Sequence, residues 1–450
     1  MSGPVKNQLP PTAILLRVAD DRDDAPAPLP SRRARAAARV RGLAIDLTPL
    51  RISRDFRILW WGELVSHTGR HITVVALPYQ VYLLTRSPLA VGLIGLVQVA
   101  PLIVFSIIGG AIADAVDRRK LLAWTQVGLA SSSLMLVGGT LAGDPPLWFL
   151  YAAAGLIAAF TGLDAPARTA AIPNLVPRDR LASAIALNQS LFQASDVIGP
   201  AVGGLILARF GLVWAYAVDA ATFLVALGTV LALRPLPPKH EGGSPARGWG
   251  AIREGFSYLR GRRVLQSTFW IDLNAMVFGM PRALFPVLAL ERYGVGPVGL
   301  GFLYSAAAAG ALVGLLASGW VGAVRHQGRA VLWAVALWGA AIVGFGLSEV
   351  FWLALVFLAV AGGADVISAV FRSTILQERI PDRLRGRLSS IHFAVVVGGP
   401  RLGDVEAGVV AHLLSPTISV VSGGVACIAG VGLVALLFPQ LARYHAGEET

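Results

Sequence analysis

Four side chains that carry charge or protons lie along one stripe of a single apolar segment. Glu63, His67, Arg70 and His71 follow the spacing i, i+4, i+7, i+8, which gathers them on one helical face. The set combines groups that exchange protons, a carboxylate and two imidazoles, with a fixed cation that binds anions. Further ionisable residues recur inside other apolar segments: Asp196, Asp219, Asp272, Arg282, His392, Arg401, Asp404 and Glu406. A charge among apolar residues at membrane depth needs a partner, water or a ligand, and so marks a functional position. Asp196, Glu63, Asp272 and Glu406 are the candidates for proton exchange. Arg70, His67, His71, Gln98, Asn274 and Arg401 are the candidates for holding a ligand, the two amides because polar amides rarely face lipid. Arg70 either binds an anionic ligand group or holds a structural ion pair with Asp196, Asp272, Asp404 or Glu406. Asp196 either exchanges a proton or stays paired with an arginine. Arg401 and Asp404 stand three residues apart and are expected to neutralise each other.

These residues must be positioned by membrane-crossing helices. The chain is 55% hydrophobic and 14% charged, with mean hydropathy +0.66. A soluble chain is nearer a quarter charged, so this apolar excess faces lipid. Crossing the hydrocarbon core takes about 20 apolar residues per helix. Twelve such spans are predicted near 56–84, 88–113, 120–142, 147–167, 183–208, 212–233, 264–290, 299–323, 330–347, 350–370, 388–413 and 417–438. Of the 38 Lys and Arg, 32 fall in the termini and alternate loops on one side, and only Arg86, Arg209 and Arg292 on the other. That asymmetry places both termini in the cytoplasm. It also assigns the net charge of +12 to topology rather than to nucleic acid. The spans predict an all-α membrane protein organised as a basic, disordered cytoplasmic tail (1–50), a six-helix bundle (51–234), a cytoplasmic linker (235–263), a second six-helix bundle (264–440) and a short tail (441–450). No secretory signal opens the chain, and the single Cys427 excludes an internal disulfide and a cysteine metal site. No Walker loop, Gly-x-Ser-x-Gly, His-Glu-x-x-His or Rossmann glycine pattern is present, so no enzyme chemistry, metal or cofactor is expected.

The chain also repeats itself. Arg168 and Arg372 are 204 residues apart, as are Pro177 and Pro381, and Gly199-Pro200-Ala-Val-Gly203 recurs 200 residues later as Gly399-Pro400-Arg-Leu-Gly403. Two parallel six-helix halves are the architecture of one large transporter class. Between spans 2 and 3, Gly109-Gly110-Ala-Ile-Ala-Asp114-Ala-Val-Asp117-Arg118-Arg119-Lys120 resembles the major facilitator loop G-x-L-A-D-x-x-G-R-K, with Asp117 in place of its second glycine. The stretches Phe56-Arg-Ile-Leu-Trp-Trp-Gly, Val75-Ala-Leu-Pro-Tyr-Gln-Val-Tyr and Ala167-Arg-Thr-Ala-Ala-Ile-Pro are similar to the bacterial branch of that superfamily that includes the enterobactin exporter and multidrug efflux proteins. The resemblance covers residues 51–440.

It implies a secondary transporter in a bacterial inner membrane, exporting siderophore- or drug-like amphipathic molecules against protons by alternating access. A single copy suffices, since twelve helices enclose one pathway. An importer on the same fold and a non-transporting membrane receptor or scaffold are the alternatives. The resemblance further implies that helices 1, 4, 7 and 10 line the cavity. It makes Gly110, Asp114, Arg118 and Arg119 a cytoplasmic gate together with Asp164, Arg168, Asp365 and Arg372. It makes Gly199, Pro200, Gly203 and Gly204 a helix-5 motif found in antiporters, with Ser195 where that motif has its first glycine.

Overall fold

A computed structural model describes residues 46–237, 257–380 and 382–445; the tail 1–45, the middle of the linker (238–256), Pro381 and the last five residues lie outside the described residues. The described residues are helical, with no strand among them. The N-terminal half holds α1 (Arg54–Thr85), α2 (Pro88–Ala115), α3 (Arg118–Leu141) and α4 (Leu147–Leu175), then one helical run, Leu181–Leu231. Gly211 divides that run into α5 (181–210) and α6 (212–231). The C-terminal half holds α7 (Arg263–Phe278), α8 (Gly296–Leu316), α9 (Gln327–Leu347), α10 (Phe351–Arg379), α11 (Asp382–Leu413) and α12 (Pro416–Leu437).

Nine elements among the described residues are long and apolar enough to cross a membrane. The 32-residue helices α1 and α11 are not among the nine, although they are longer than most of them. They are the helices that carry the richest sets of interior charges. Those interior charges lower their apparent hydropathy.

Helix boundaries follow local chemistry. Ser53 and Ser87 accept hydrogen bonds from Phe56 N–H and Ala90 N–H and so start α1 and α2. Asp117 caps α3 by accepting from Arg119 N–H at 2.9 Å, and its Oδ1 also accepts from Leu236 N–H at 3.0 Å. The residue that departs from the loop pattern thus serves as a helix cap. Gly211 turns the chain with φ 81° and ψ −176°, backbone open only to glycine. Gly211→Ala is expected to cost about 1–3 kcal/mol, read as a lower thermal unfolding midpoint of the purified protein.

Three sequence boundaries are corrected. Residues 46–50, assigned to the unstructured tail, are ordered: Pro49 stands at the start of the short helix Thr48–Ile52, and Ser183 donates to Asp46 at 2.9 Å. Hydrogen bonds from Thr48 pull the Asp46 carboxyl down to about 2, so this tether holds above that range and is lost only as pH falls through it. Helices α4 and α10 run a little over two turns past their predicted ends, which brings Arg168 and Arg372 out of the loops and into buried helical positions. The predicted span 264–290 is broken after Phe278 and resumes as a 3-10 turn Arg282–Leu284, a short helix Phe285–Val287 and a π-helical turn Leu288–Arg292. Pro281 and Pro286, which lack N–H donors, account for the interruption.

Within the N-terminal half, α1 packs on the α5–α6 run, α2 on α4, and α3 on α4 and the α5–α6 run. Within the C-terminal half, α10 packs on α8 and α9, α9 on α12, and α7 on α11. The halves meet through two related pairs, α2 with α11 and α5 with α8. Both contacts use glycine: a Cβ on Gly204 would sit 2.6 Å from Pro297 O, and one on Gly408 would sit 2.9 Å from Pro88 O. The Tyr82 hydroxyl donates to Glu291 at the same end. The halves are therefore closed on each other at the end of the bundle marked by Ser87, Gly211 and Gly296.

Candidate functional site

The stripe predicted on α1 exists and is the spine of a buried network. Glu63 is 2% exposed. Its Oε2 lies 3.8 Å from Arg168 Nη1 on α4, and its Oε1 stands 4.0 Å from His67 Nε2. Arg168 Nε donates to Asp164, one turn earlier on α4. Asp164 is held from the other side by Thr125 Oγ1 at 2.6 Å and Gln126 Nε2 at 2.9 Å, both on α3. Further along α1, Arg70 Nη2 meets His67 Nδ1 at 3.0 Å, and His67 stacks edge-on against Phe192. His71 Nε2 contacts Asp196 Oδ1 on α5 at 2.7 Å. The partner of Asp196 is thus a histidine, not the arginine that one reading allowed.

The second half repeats the pattern. Asp272 on α7 is fully buried and lies 2.5 Å from Arg372 Nη1 on α10. Arg372 Nη2 is 3.8 Å from Asp365 Oδ1, and His392 Nδ1 on α11 is 3.8 Å from Asp272 Oδ2. Each half sets two carboxylates against one arginine, with a histidine at the edge; Glu63, Asp164 and Asp272 are buried and Asp365 is half-buried.

Between these networks stand three arginines. Arg70 and Arg401 are half-buried, and Arg282, on the turn where α7 breaks, is exposed. Arg401 interacts electrostatically with both of the others. Among the described residues none of the three has a carboxylate oxygen within 4.0 Å. The expected Arg401–Asp404 pair does not form. Arg401 Nη1 donates to Val397 O at 2.7 Å, and Asp404 Oδ1 accepts from Ala283 N–H at 2.9 Å, which caps the resumed end of the broken α7. Asp196, with a side chain 46% exposed, interacts electrostatically with Arg282 of the other half. This mid-helix face is open between the halves.

The remaining candidates are dispersed. Asn274 donates to Cys427 O at 2.9 Å and seats α7 on α12, so it is a packing amide. Gln98 and Glu406 are half-buried on α2 and α11. In the loop motif Asp114 is half-buried, Arg118 donates to Pro237 O at 3.4 Å, and Arg119 donates to Leu231 O, binding the start of α3 to the end of α6. The closely packed glycine of that motif is Gly109, where a Cβ would meet Leu163 Cα at 2.8 Å; around Gly110 there is open space. In the helix-5 motif Gly199 and Gly203 seat α5 against His71 and Ile72 of α1, while Gly204 meets α8 of the other half and Pro200 stands within the helix. Gly399 and Gly403 seat α11 on α7 in the same way.

Sequence reading named Asp219 without giving it a role; its Oδ2 accepts from Thr73 Oγ1 at 2.6 Å and Ser133 Oγ at 2.8 Å, tying α1, α3 and α6 together. A lone acid in an otherwise apolar span was the available signal. A cavity of about 300 Å³ between α3 and α4, lined by Trp124, Met135, Leu156 and Phe160, holds no charged group and lies apart from these networks.

Residues 44–448 match the family model described as transmembrane secretion effector. The chain belongs to this family of major facilitator transporters. It is 28% identical over 404 residues to the enterobactin exporter EntS of Shigella boydii serotype 18, a match spanning 89% of this chain and 96% of that protein. The EntS proteins of Escherichia coli O139:H28 and Escherichia fergusonii match with the same identity and coverage. Among solved structures, a mutant of the nucleoside transporter NupG superposes with TM-score 0.72 at 10% identity, covering 86% of this chain and all of that one. A bacterial homolog of the human lysosomal transporter Spinster, solved inward-facing and unoccupied, superposes with TM-score 0.67 at 16% identity over 86% of this chain and 96% of that one. These structures share the fold. The protein is thus a multi-pass membrane transporter and not an enzyme.

Proposed function

We propose that this transporter exports small amphipathic anions, siderophore- or drug-like, from the bacterial cytoplasm in exchange for protons. It works as a monomer with twelve spans and both termini cytoplasmic. The observation that carries the reading is the set of three arginines, Arg70, Arg282 and Arg401, contributed by both halves with no carboxylate within 4.0 Å among the described residues. Cations at membrane depth with acids near but none in ion-pair contact can take an anionic ligand. Phe192 beside His67 offers the apolar contact that an amphipathic ligand needs. The similarity to proteins named as enterobactin exporters supports export.

Asp196 and His71 bridge α5 and α1 beside the glycines that let these helices pack. That is where proton binding can alter helix packing. With the termini inside, the end closed by Gly204 and Gly408 is the periplasmic one, and the ligand enters from the cytoplasm. Closure at that side and opening at the other complete alternating access.

Inverted, respiring vesicles carrying a pH dye test this, challenged with catecholate siderophores and with cationic drugs. Substrate-driven proton release is expected for the anions and not for the cations, and is expected to be lost in Asp196→Asn. Arg70→Gln, Arg282→Gln and Arg401→Gln should each raise KM by roughly 10-fold or more, the size of one charge-assisted hydrogen bond. Release driven only by cations would overturn the anion assignment. Uptake running with the proton gradient would make the protein an importer.

A further inference from the structure

Each half holds one carboxylate more than its arginine can neutralise. Glu63 and Asp164 share Arg168; Asp272 and Asp365 share Arg372. Two ionised acids against one cation leave an uncompensated charge in each half, which is unfavourable away from water. A proton on one acid of each set removes it.

The contacts show which acid is surplus. In the N-terminal half Asp164 is fully engaged, accepting from Arg168, Thr125 and Gln126. Glu63 is 3.8 Å from the same arginine, and its buried Oε1 has no hydrogen-bond partner. In the C-terminal half the close partner of Arg372 is Asp272, at 2.5 Å, although the angle falls outside hydrogen-bond geometry. Asp365 stands off at 3.8 Å with its buried Oδ1 unpartnered. The surplus acid therefore sits on α1 in one half and on α10 in the other.

We propose that the transporter carries two further exchangeable protons, one on Glu63 and one on Asp365, each beside a closer arginine–carboxylate pair. This rests on the proton-coupled reading above and adds two proton sites to its Asp196–His71 pair. Around Glu63 the charged neighbours are His67 and Arg70 on α1 and Asp164 and Arg168 on α4; α6, also packed on α1, contributes Asp219 further along. Around Asp365 they are Arg372 on α10 and Asp272 and Arg282 from the α7 region; α11 contributes His392 beside Asp272, α8 carries no charge, and α9 carries only Arg329 near its start. Each step is protonation of a carboxylate oxygen and its reversal.

Infrared difference spectroscopy on the purified full-length protein, stepped from alkaline to acidic pH, reads carboxylic acid C=O directly. Relative to the unmutated protein, one pH-dependent carboxylic acid signal is expected to be lost in Glu63→Gln, one in Asp365→Asn and both in the double variant. The remaining acids, Asp219, Asp404 and Glu406 among them, contribute equally to all four proteins and cancel in the comparison. The roles also differ in thermal stability. Glu63→Gln and Asp365→Asn keep their ion pairs and should unfold near the unmutated midpoint, whereas Asp164→Asn and Asp272→Asn should unfold clearly lower. No loss of signal in either single variant would overturn the proposal, and a reversed stability order within a half would overturn its assignment there. Signals lost as expected, in a protein that shows no substrate-driven proton release, would sustain the proton sites while defeating the transport reading.

Discussion

Arg372→Met is expected to be the most damaging single substitution in the bundle. Arg372 is 2% exposed and is the cation shared by Asp272 and Asp365. Removing one partner of a buried ion pair costs about 3–5 kcal/mol, because the other charge stays desolvated without compensation. Methionine matches the volume of the arginine stem and isolates the charge effect from a cavity effect. The thermal unfolding midpoint of the purified variant should fall sharply and should recover partly at low pH, where the stranded acids take up protons. Combining it with Asp272→Asn should recover much of the loss, since the pair is coupled. A variant as stable as the unmutated protein at neutral pH would mean that both acids are already neutral there, and the ion-pair description of this half would fail. Arg168→Met is expected to behave similarly but less severely, because Asp164 keeps Thr125 and Gln126 as donors.

That network was only half visible in the sequence. Glu63, His67, Arg70 and His71 were legible because helical spacing alone puts them on one face. The helix-5 and helix-11 glycines were legible because they recur at a fixed offset. Arg168 and Arg372 were misplaced into loops for a physical reason. A hydropathy reading ends a span where charge begins, yet an arginine held by carboxylates inside the bundle does not end a helix.

The Arg401–Asp404 pair failed for the complementary reason. Helical spacing permits it, but the broken α7 offers Asp404 an unpaired backbone N–H at Ala283. That competitor lies more than a hundred residues away and exists only because Pro281 and Pro286 interrupt a span that composition reads as continuous. Asn274 carried the same ambiguity: an amide shielded from lipid can face a cavity or a neighbouring helix, and Cys427 O of α12 decides it.

The symmetry between halves is instructive where it breaks. Gly204 and Asp404 are 200 residues apart, at matching places after the two Gly-Pro repeats. Both lie at contacts between halves, Gly204 on Gly301 of α8 and Asp404 against Gly92 and Gly95 of α2. One contact is pure backbone packing. The other brings a carboxylate that also holds the α7 break. The α5–α8 contact is therefore the one that steric bulk alone can open.

Gly204→Val and Gly301→Val are expected to hold the halves apart at this end. A Cβ on Gly204 would lie 2.6 Å from Pro297 O and 3.0 Å from Gly301 Cα, and one on Gly301 would lie 2.5 Å from Pro200 O. Backbone atoms on both sides cannot rotate away, so the clash must be relieved by separating the helices. Overpacking of this kind costs about 1–3 kcal/mol. The cost falls on the closed arrangement alone, so it shifts the balance between the two states by roughly 5- to 150-fold. Transport should fall in proportion, because a carrier held open at one end cannot complete its cycle. Unfolding stability should change little, since the contact lies between the halves rather than inside either one. The single native thiol, buried Cys427, makes the conformational measurement clean. In a Cys427→Ala background, spin labels on cysteines at exposed Leu141 and Leu414 sit on opposite halves near this end. Their separation should lengthen in Gly204→Val and stay unchanged in Gly110→Ala, where an added Cβ meets nothing within 4 Å. An unchanged separation together with normal transport in Gly204→Val would show that the α5–α8 contact is not what closes this end, and the seal would then rest on α2, α11 and the Tyr82–Glu291 bond.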